Sequence, residues 1–246
     1  MNKLSNAKPA DFEVLLDATK KLTAFTTAEE LAQAFIDIVY ERFMNSFVLL
    51  RLFASLPYSI LPKQDRQLVD KKAIGFGTAN LLKNNTPVLT LLGTRGQRDE
   101  WNRRQESQGF RCIPLLSSDY VESLPMLAMQ FDSMHFDLKL LDTWNTAVAA
   151  KGHANEYTGM LYVNHAGINR DAKGRMIVPR QEFVAESNVK TAIGFGSGYT
   201  NYPAIVTLFA FTNELLGKAE MEPFATLLET YLSISGEFVG NGHIFR

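Results

Sequence analysis

The amino-acid sequence predicts an α/β (α+β) fold, and three observations carry that expectation. Apolar residues recur at helical spacing through residues 11–44. Short apolar runs, 46–55 (SFVLLRLFAS) and 87–92 (PVLTLL), have the length and two-sided apolar character of buried strands. The last fifth reads as strand, turn, strand and closing helix. Residues 190–195 and 204–211 (AIVTLFAF) are the apolar runs, 196–203 the glycine-containing turn, 212–218 a polar break and 219–235 the helix.

Along the chain, residues 1–10 read as a flexible tail. Phe12, Leu15, Leu16, Leu22 and Phe25, then Leu31, Phe35, Ile38, Val39 and Phe43, predict helices over 11–25 and 27–43, parted by Thr26-Thr27-Ala28-Glu29-Glu30 as N-cap and capping box. The run 46–55 is a central strand, apolar apart from Arg51. Residues 64–83 read as a helix weakened by Gly75 and Gly77, 87–92 as a strand ended by Gly93, 100–108 as a short helix and 111–116 as a strand. Val121, Leu127, Phe131 and Phe136 place one amphipathic helix over 119–141. Residues 142–157 give no definite pattern, 159–163 (GMLYV) is a strand, 164–179 a polar loop and 183–187 a helical turn. The echo between 71–78 (KKAIGFGT) and 190–197 (KTAIGFGS) matches at six of eight positions, but its flanks do not match, so it reads as coincidence.

Composition narrows the function classes. With 246 residues, 46% apolar and 21% charged, the chain is an ordinary globular protein able to bury a sizeable core. A net charge of −1 gives no global attraction for a polyanion, so no nucleic-acid partner is expected. The single cysteine, Cys112, excludes an intrachain disulfide and a multi-cysteine metal site. No apolar stretch approaches the roughly 18–20 residues of a membrane helix and the N-terminus lacks a signal-peptide core, so a cytoplasmic protein with no membrane partner is expected.

Catalytic patterns are absent. The stretch 194–199 (GFGSGY) is followed by a strand rather than a helix and lacks the Gly-Lys-Ser/Thr ending, so it reads as a hairpin turn and not a phosphate cradle. Ser197 sits one position late for a nucleophile elbow. His135, His153, His165 and His243 show no i, i+4 pair. His135, between Met134 and Phe136, reads as a partly buried core histidine, and a haem held by it is disfavoured. Cys112 reads as a buried strand residue. No catalytic or metal-ligating residue is assigned, and the cofactor is left unknown.

Candidate ligand-binding residues come from two other signals. Aromatic side chains near strand ends and loops suit a mostly apolar pocket: Trp101, Trp144, Tyr162 and Tyr199. Arg51, inside an apolar strand, would need an acidic partner or an anionic ligand if buried, though a solvated face is the commoner fate of such an arginine. Arg95 and Arg104 belong to a cluster with Arg98 and Arg103, interleaved with Asp99, Glu100 and Glu106. It reads mainly as a solvated face and secondarily as a pocket wall.

The N-terminal helices, SFVLLRLFAS, the pair of apolar runs around 190–211 and the polar break with its closing helix together resemble the GAF family of small-molecule-binding sensory domains. The resemblance covers the ends of the chain better than the enlarged middle segment 56–158. It implies a single domain over 11–246, built on a six-stranded antiparallel sheet flanked by helices, GAF/PAS-like, with a ligand between one sheet face and its covering loops and helices. It also implies a bacterial-type signalling sensor that regulates an output protein and performs no catalysis of its own. The apolar stripes of the terminal helices 11–43 and 219–238 then suggest a homodimer surface. Two other classes stay open: an α/β enzyme with its active site in 86–175, and a ligand-free interaction scaffold.

Overall fold

The computed structural model describes residues 3–107, 109–142, 157–199, 202 and 204–246. Its centre is one antiparallel sheet of six strands: β1 (Phe47–Pro57), β2 (Pro87–Gly96), β3 (Cys112–Pro114), β4 (Gly159–Val163), β5 (Thr191–Gly198) and β6 (Ile205–Thr212). Their order across the sheet is β3-β2-β1-β6-β5-β4. The expected central strand is therefore central, with β2 and β6 hydrogen-bonded on its two sides.

Alternation along β1 builds two cores. Leu50, Leu52, Ala54 and Leu56 join the cluster under three helices, α1 (Pro9–Lys20), α2 (Ala28–Arg42) and α8 (Pro223–Gly240). Leu49 and Phe53 join a second cluster on the opposite face, under shorter elements: α4 (Ser118–Glu122), α5 (Pro125–Ser133) and α6 (Gln181–Glu186). Among the described residues the two remaining helices are α3 (Lys63–Gly75), which packs on the β3 edge, and α7 (Lys218–Met221).

The helix-covered face is closed by phenylalanines. Phe224 of α8 meets Phe12 edge to face at 5.3 Å and lies 5.8 Å from Phe47, a geometry that adds to the simple burial of area. The apolar stripes of α1, α2 and α8 thus face the sheet and one another. Helix α2 starts as its sequence predicts. The Thr27 hydroxyl accepts from the Glu30 N–H, and the Glu30 carboxylate accepts from the Thr26 N–H and hydroxyl. The Ala28 and Glu29 N–H groups donate to the carbonyls of His243 and Ile244, so the C-terminal tail covers the donors that a helix start leaves open.

Several expectations are corrected. The N-terminal stretch is docked rather than loose: Leu4 is 1% exposed and its N–H donates to Ser46 Oγ. The predicted helix over 64–83 ends at Gly75, and Gly77 comes after it with φ +69°. The predicted helix over 100–108 is a single 3-10 turn, Asp99–Trp101. The helix over 119–141 is three pieces. Pro125, without an N–H, starts α5, and His135, at φ +56°, ends its C-terminal turn. His135 is exposed there rather than buried in a core.

Gly93 does not end β2. The strand runs to Gly96 with a bulge opposite Leu52 and Phe53, so that Leu92 and Gly93 both turn toward the helices. A side chain on Gly93 would stand 2.6 Å from the Ala32 carbonyl oxygen of α2, which is why a glycine is needed there.

The glycines of GFGSG are not a turn either. Gly194, Gly196 and Gly198 lie within β5, and Gly196 pairs with Gly159 of β4. They form a flat seat on which α5 lies close to the sheet. A Cβ on Gly194 would stand 2.0 Å from the Gln130 side-chain amide and one on Gly159 2.1 Å from the Ser133 carbonyl oxygen. The amide of Gln130, fully buried, is placed to accept from the Gly196 N–H at 3.2 Å and donate to the Gly194 carbonyl at 3.0 Å. The sequence echo has no structural counterpart, since its first copy ends helix α3 and its second is strand β5. No helix among the described residues is long and apolar enough to cross a membrane.

Candidate functional site

A cavity of about 390 Å³ lies on the second face of the sheet, beside the seat of α5. Its floor is built by strand register. Leu49, Arg51 and Phe53 of β1 point the same way, and Arg51 stands between Thr94 of β2 and Phe209 of β6. Because α5 is drawn down onto the glycines of β4 and β5, the space over β1 and β6 is left to side chains from irregular segments.

Trp101 forms one wall. Gly96 admits it, since a Cβ there would stand 2.7 Å from the indole, and its carbonyl accepts from the Thr94 hydroxyl at 2.9 Å. Phe183 of α6 meets Trp101 edge to face at 5.5 Å and Phe211 at 5.3 Å, closing the opposite wall. The Arg98 guanidinium lies 5.0 Å above the Trp101 ring and pairs with Glu186 of α6 at 3.0 Å, so the segment after β2 and the short helix are tied across the cavity. Glu100 and Glu182 are exposed at the rim.

Two arginines bear on the interior. Arg51 is 7% exposed and donates to the hydroxyl of Ser107 at 2.6 Å. Burial, reinforced by the like charge of Arg180, lowers its pKa to about 10, so it remains a cation at neutral pH. Arg180 enters from the loop before α6. Its Nη1 would be 3.1 Å from a Cβ on Gly109, a residue at φ +96°, so the missing side chain there makes room for the guanidinium.

Of the residues singled out from the sequence, Arg51 and Trp101 line this cavity. Arg95 lies on the opposite face, 6.0 Å over the Tyr40 ring and 3.6 Å from Asp37 of α2, because the bulge in β2 reverses the alternation on which its side depends. Arg104 is buried in an ion-pair cluster. It pairs with Asp65 and lies 3.8 Å from Glu29, while Arg111 pairs with Asp65 at 2.8 Å and the Phe245 ring lies 4.6 Å from the Arg104 guanidinium. The expected solvated face therefore holds for Arg103, which is exposed and meets Glu106, but not for Arg104. Tyr162 and Tyr199 belong to the helix-covered side. Tyr162 donates to the Leu216 carbonyl at 2.5 Å, and the Tyr199 hydroxyl meets Ser235 at 2.9 Å. Trp144 lies outside the described residues. Cys112 is buried, and burial raises its thiol pKa to about 12.

Sequence reasoning missed Phe53, Phe110, Arg180, Phe183 and Phe209. The common facing of Phe53 with Arg51, and of Phe209 with Phe211, was legible in strand alternation. Arg180 and Phe183 gave no local signal, because only tertiary packing brings their loop over the sheet. Among the described residues no group of three histidines, cysteines or carboxylates is placed to hold a metal ion.

The fold is GAF-like, an antiparallel six-stranded sheet with helices on its faces. Among solved structures, a free methionine-R-sulfoxide reductase from Neisseria meningitidis, determined in complex with its substrate, is similar at TM-score 0.50 and 8% identity, covering 96% of each chain. The GAF domain of an Acinetobacter phosphoenolpyruvate-protein phosphotransferase aligns at TM-score 0.49 and 8% identity over 94% of this chain and 95% of that one. The phycoerythrobilin-bound GAF domain of a cyanobacterial phytochrome aligns at 0.47 and 9% over 95% and 97%. These identities speak to fold alone. No protein-family model matches the sequence, and no curated protein matches it.

Proposed function

We propose that this protein is a sensory or regulatory module that holds a small ligand in the cavity between the sheet and the α4–α6 side. The observation that carries the reading is the cavity itself. It has about 390 Å³ of space, at the lower end of ligand pockets, lined by aromatic rings with a buried cation on its floor. Its described lining contains no histidine, cysteine, serine, threonine, lysine or tyrosine, and its carboxylates stand at the exposed rim. That inventory favours binding over turnover.

Occupancy would act through α6 and the segment carrying Arg98 and Trp101, the elements that close over the ligand. A ligand that binds the closed arrangement better shifts the population toward it, and a partner protein would read the change. A homodimer through α1, α2 and α8 has less to draw on, since their apolar stripes are covered within the chain.

Native mass spectrometry of the purified protein, followed by a thermal-shift screen of small metabolites, nucleotides and haem, tests the reading. The expected result is a ligand that raises the melting temperature in the native protein but not in Leu124→Trp, where the indole fills the cavity. A melting temperature unmoved by the whole library would remove the reading's support.

A further inference from the structure

We propose that the ligand of this cavity is a monocarboxylate on a compact apolar or aromatic body, its carboxylate held between Arg51 and Arg180. The inference rests on the cavity being a ligand site and goes on to name the class of ligand. Three features of the lining carry it.

The first is convergence of like charge. Arg51 rises from the floor and Arg180 comes from the wall, near enough that the Arg180 charge disfavours the Arg51 cation. An anion between them gains from both guanidinium groups. Guanidinium forks suit the planar, two-oxygen geometry of a carboxylate.

The second feature is what surrounds that pair. Leu49, Phe53, Phe110, Ile113, Phe209 and Phe211 offer only hydrocarbon surface, so the rest of the ligand must be apolar to be desolvated without loss. A phosphate would bring a second charge and a third oxygen to walls whose other donor side chains, among the described residues, are Arg98, already paired with Glu186, and the single indole N–H of Trp101.

The third feature is the rim. The Arg98 charge is engaged by Glu186, and Glu100 and Glu182 are acidic. The mouth therefore repels a dianion more strongly than a monoanion and leaves anion recognition to Arg51 on the floor and Arg180 on the wall.

The test is calorimetric titration of the full chain with 3-phenylpropionate, indole-3-acetate and octanoate, beside the matching amides and amines. The acids should bind about tenfold or more tighter than their amides, the difference expected of a charge-assisted pair. Arg51→Met and Arg180→Gln should each remove that preference while leaving amide binding within about threefold. Arg180 is exposed, so its variant stays informative if Arg51→Met misfolds, and Arg51→Lys should keep part of the preference. Amides or amines binding as tightly as acids would overturn the ligand class and leave the cavity a ligand site. Acid preference unchanged in both arginine variants would overturn the placement. Binding by none of the three sets overturns the ligand class, and together with a silent library it takes the cavity reading as well.

Discussion

The two faces of the sheet are made from the same strands and end differently. On the helix-covered face, residues such as Leu50, Leu52, Leu208 and Phe195 meet three helices whose apolar stripes run for several turns. On the other face, Arg51, Phe53 and Phe209 meet short helices and loops. Long helices carry a continuous stripe that can be fitted to a sheet along its length. Short pieces seat only where glycines admit them, as α5 does over Gly159, Gly194 and Gly196, and the unseated remainder is the cavity. In this molecule stability and ligand capacity are thus divided between the two sides of one strand.

Truncating one phenylalanine on each side probes that division most strongly. Phe224→Ala, which removes a ring packed on Phe12, Phe43, Phe47 and Phe195, should cost about 3–5 kcal/mol. Phe183→Ala, on the half-buried cavity wall, should cost about 1 kcal/mol, the ordinary scale for a substitution. Urea unfolding of both variants measures the contrast, and equal losses would erase it.

The glycine seat gives the next effect. Gly159→Ala forces a methyl against the Ser133 carbonyl and should destabilise by about 1–3 kcal/mol as α5 lifts. Gly167→Ala, whose Cβ would meet nothing nearer than Val184 Cγ1 at 3.8 Å, should stay within about 0.5 kcal/mol. Matched melting curves decide whether close approach or glycine content is at issue.

The smallest effect concerns acid. Hydrogen bonds from Thr26, with a smaller contribution from Arg246, hold the Glu30 carboxyl at about 2, against an ordinary 4.5. Its folded pKa is depressed, so its contribution is complete above pH 4.5 and is lost as pH falls toward 2. Glu30→Gln should flatten that part of the stability–pH curve and leave the arm above pH 5 parallel to the native one, as acid titrations of both proteins would show.

The sequence carried the architecture further than the site. β1, β4 and β6 were legible because their apolar runs are short and continuous, and the start of α2 because Thr27 and Glu30 form a local cap. Arg51 was legible as a charge in an apolar strand, and Trp101 as an aromatic near a strand end. Gly194 and Gly196 misled because a glycine under a helix looks, in sequence, like a glycine in a turn. Arg95 misled because its facing depends on an extra residue upstream. Arg180 and Phe183 reach the cavity only through the path of the loop before α6, which no local pattern encodes.

That extra residue makes β2 a strand with a spare. Shortening the chain by Leu92 would leave Gly93 opposite Leu52, Thr94 and Gly96 beneath Trp101 and Arg95 against α2, at the loss of one buried leucine. Shortening it by Thr94 would instead hand Arg95 its place beside Arg51 and move Gly96 to the other face. In this strand, then, the harm done by a deletion is set by whether it removes the spare residue or one that is already singly paired, and Leu92 is the position where a loss restores the regular register.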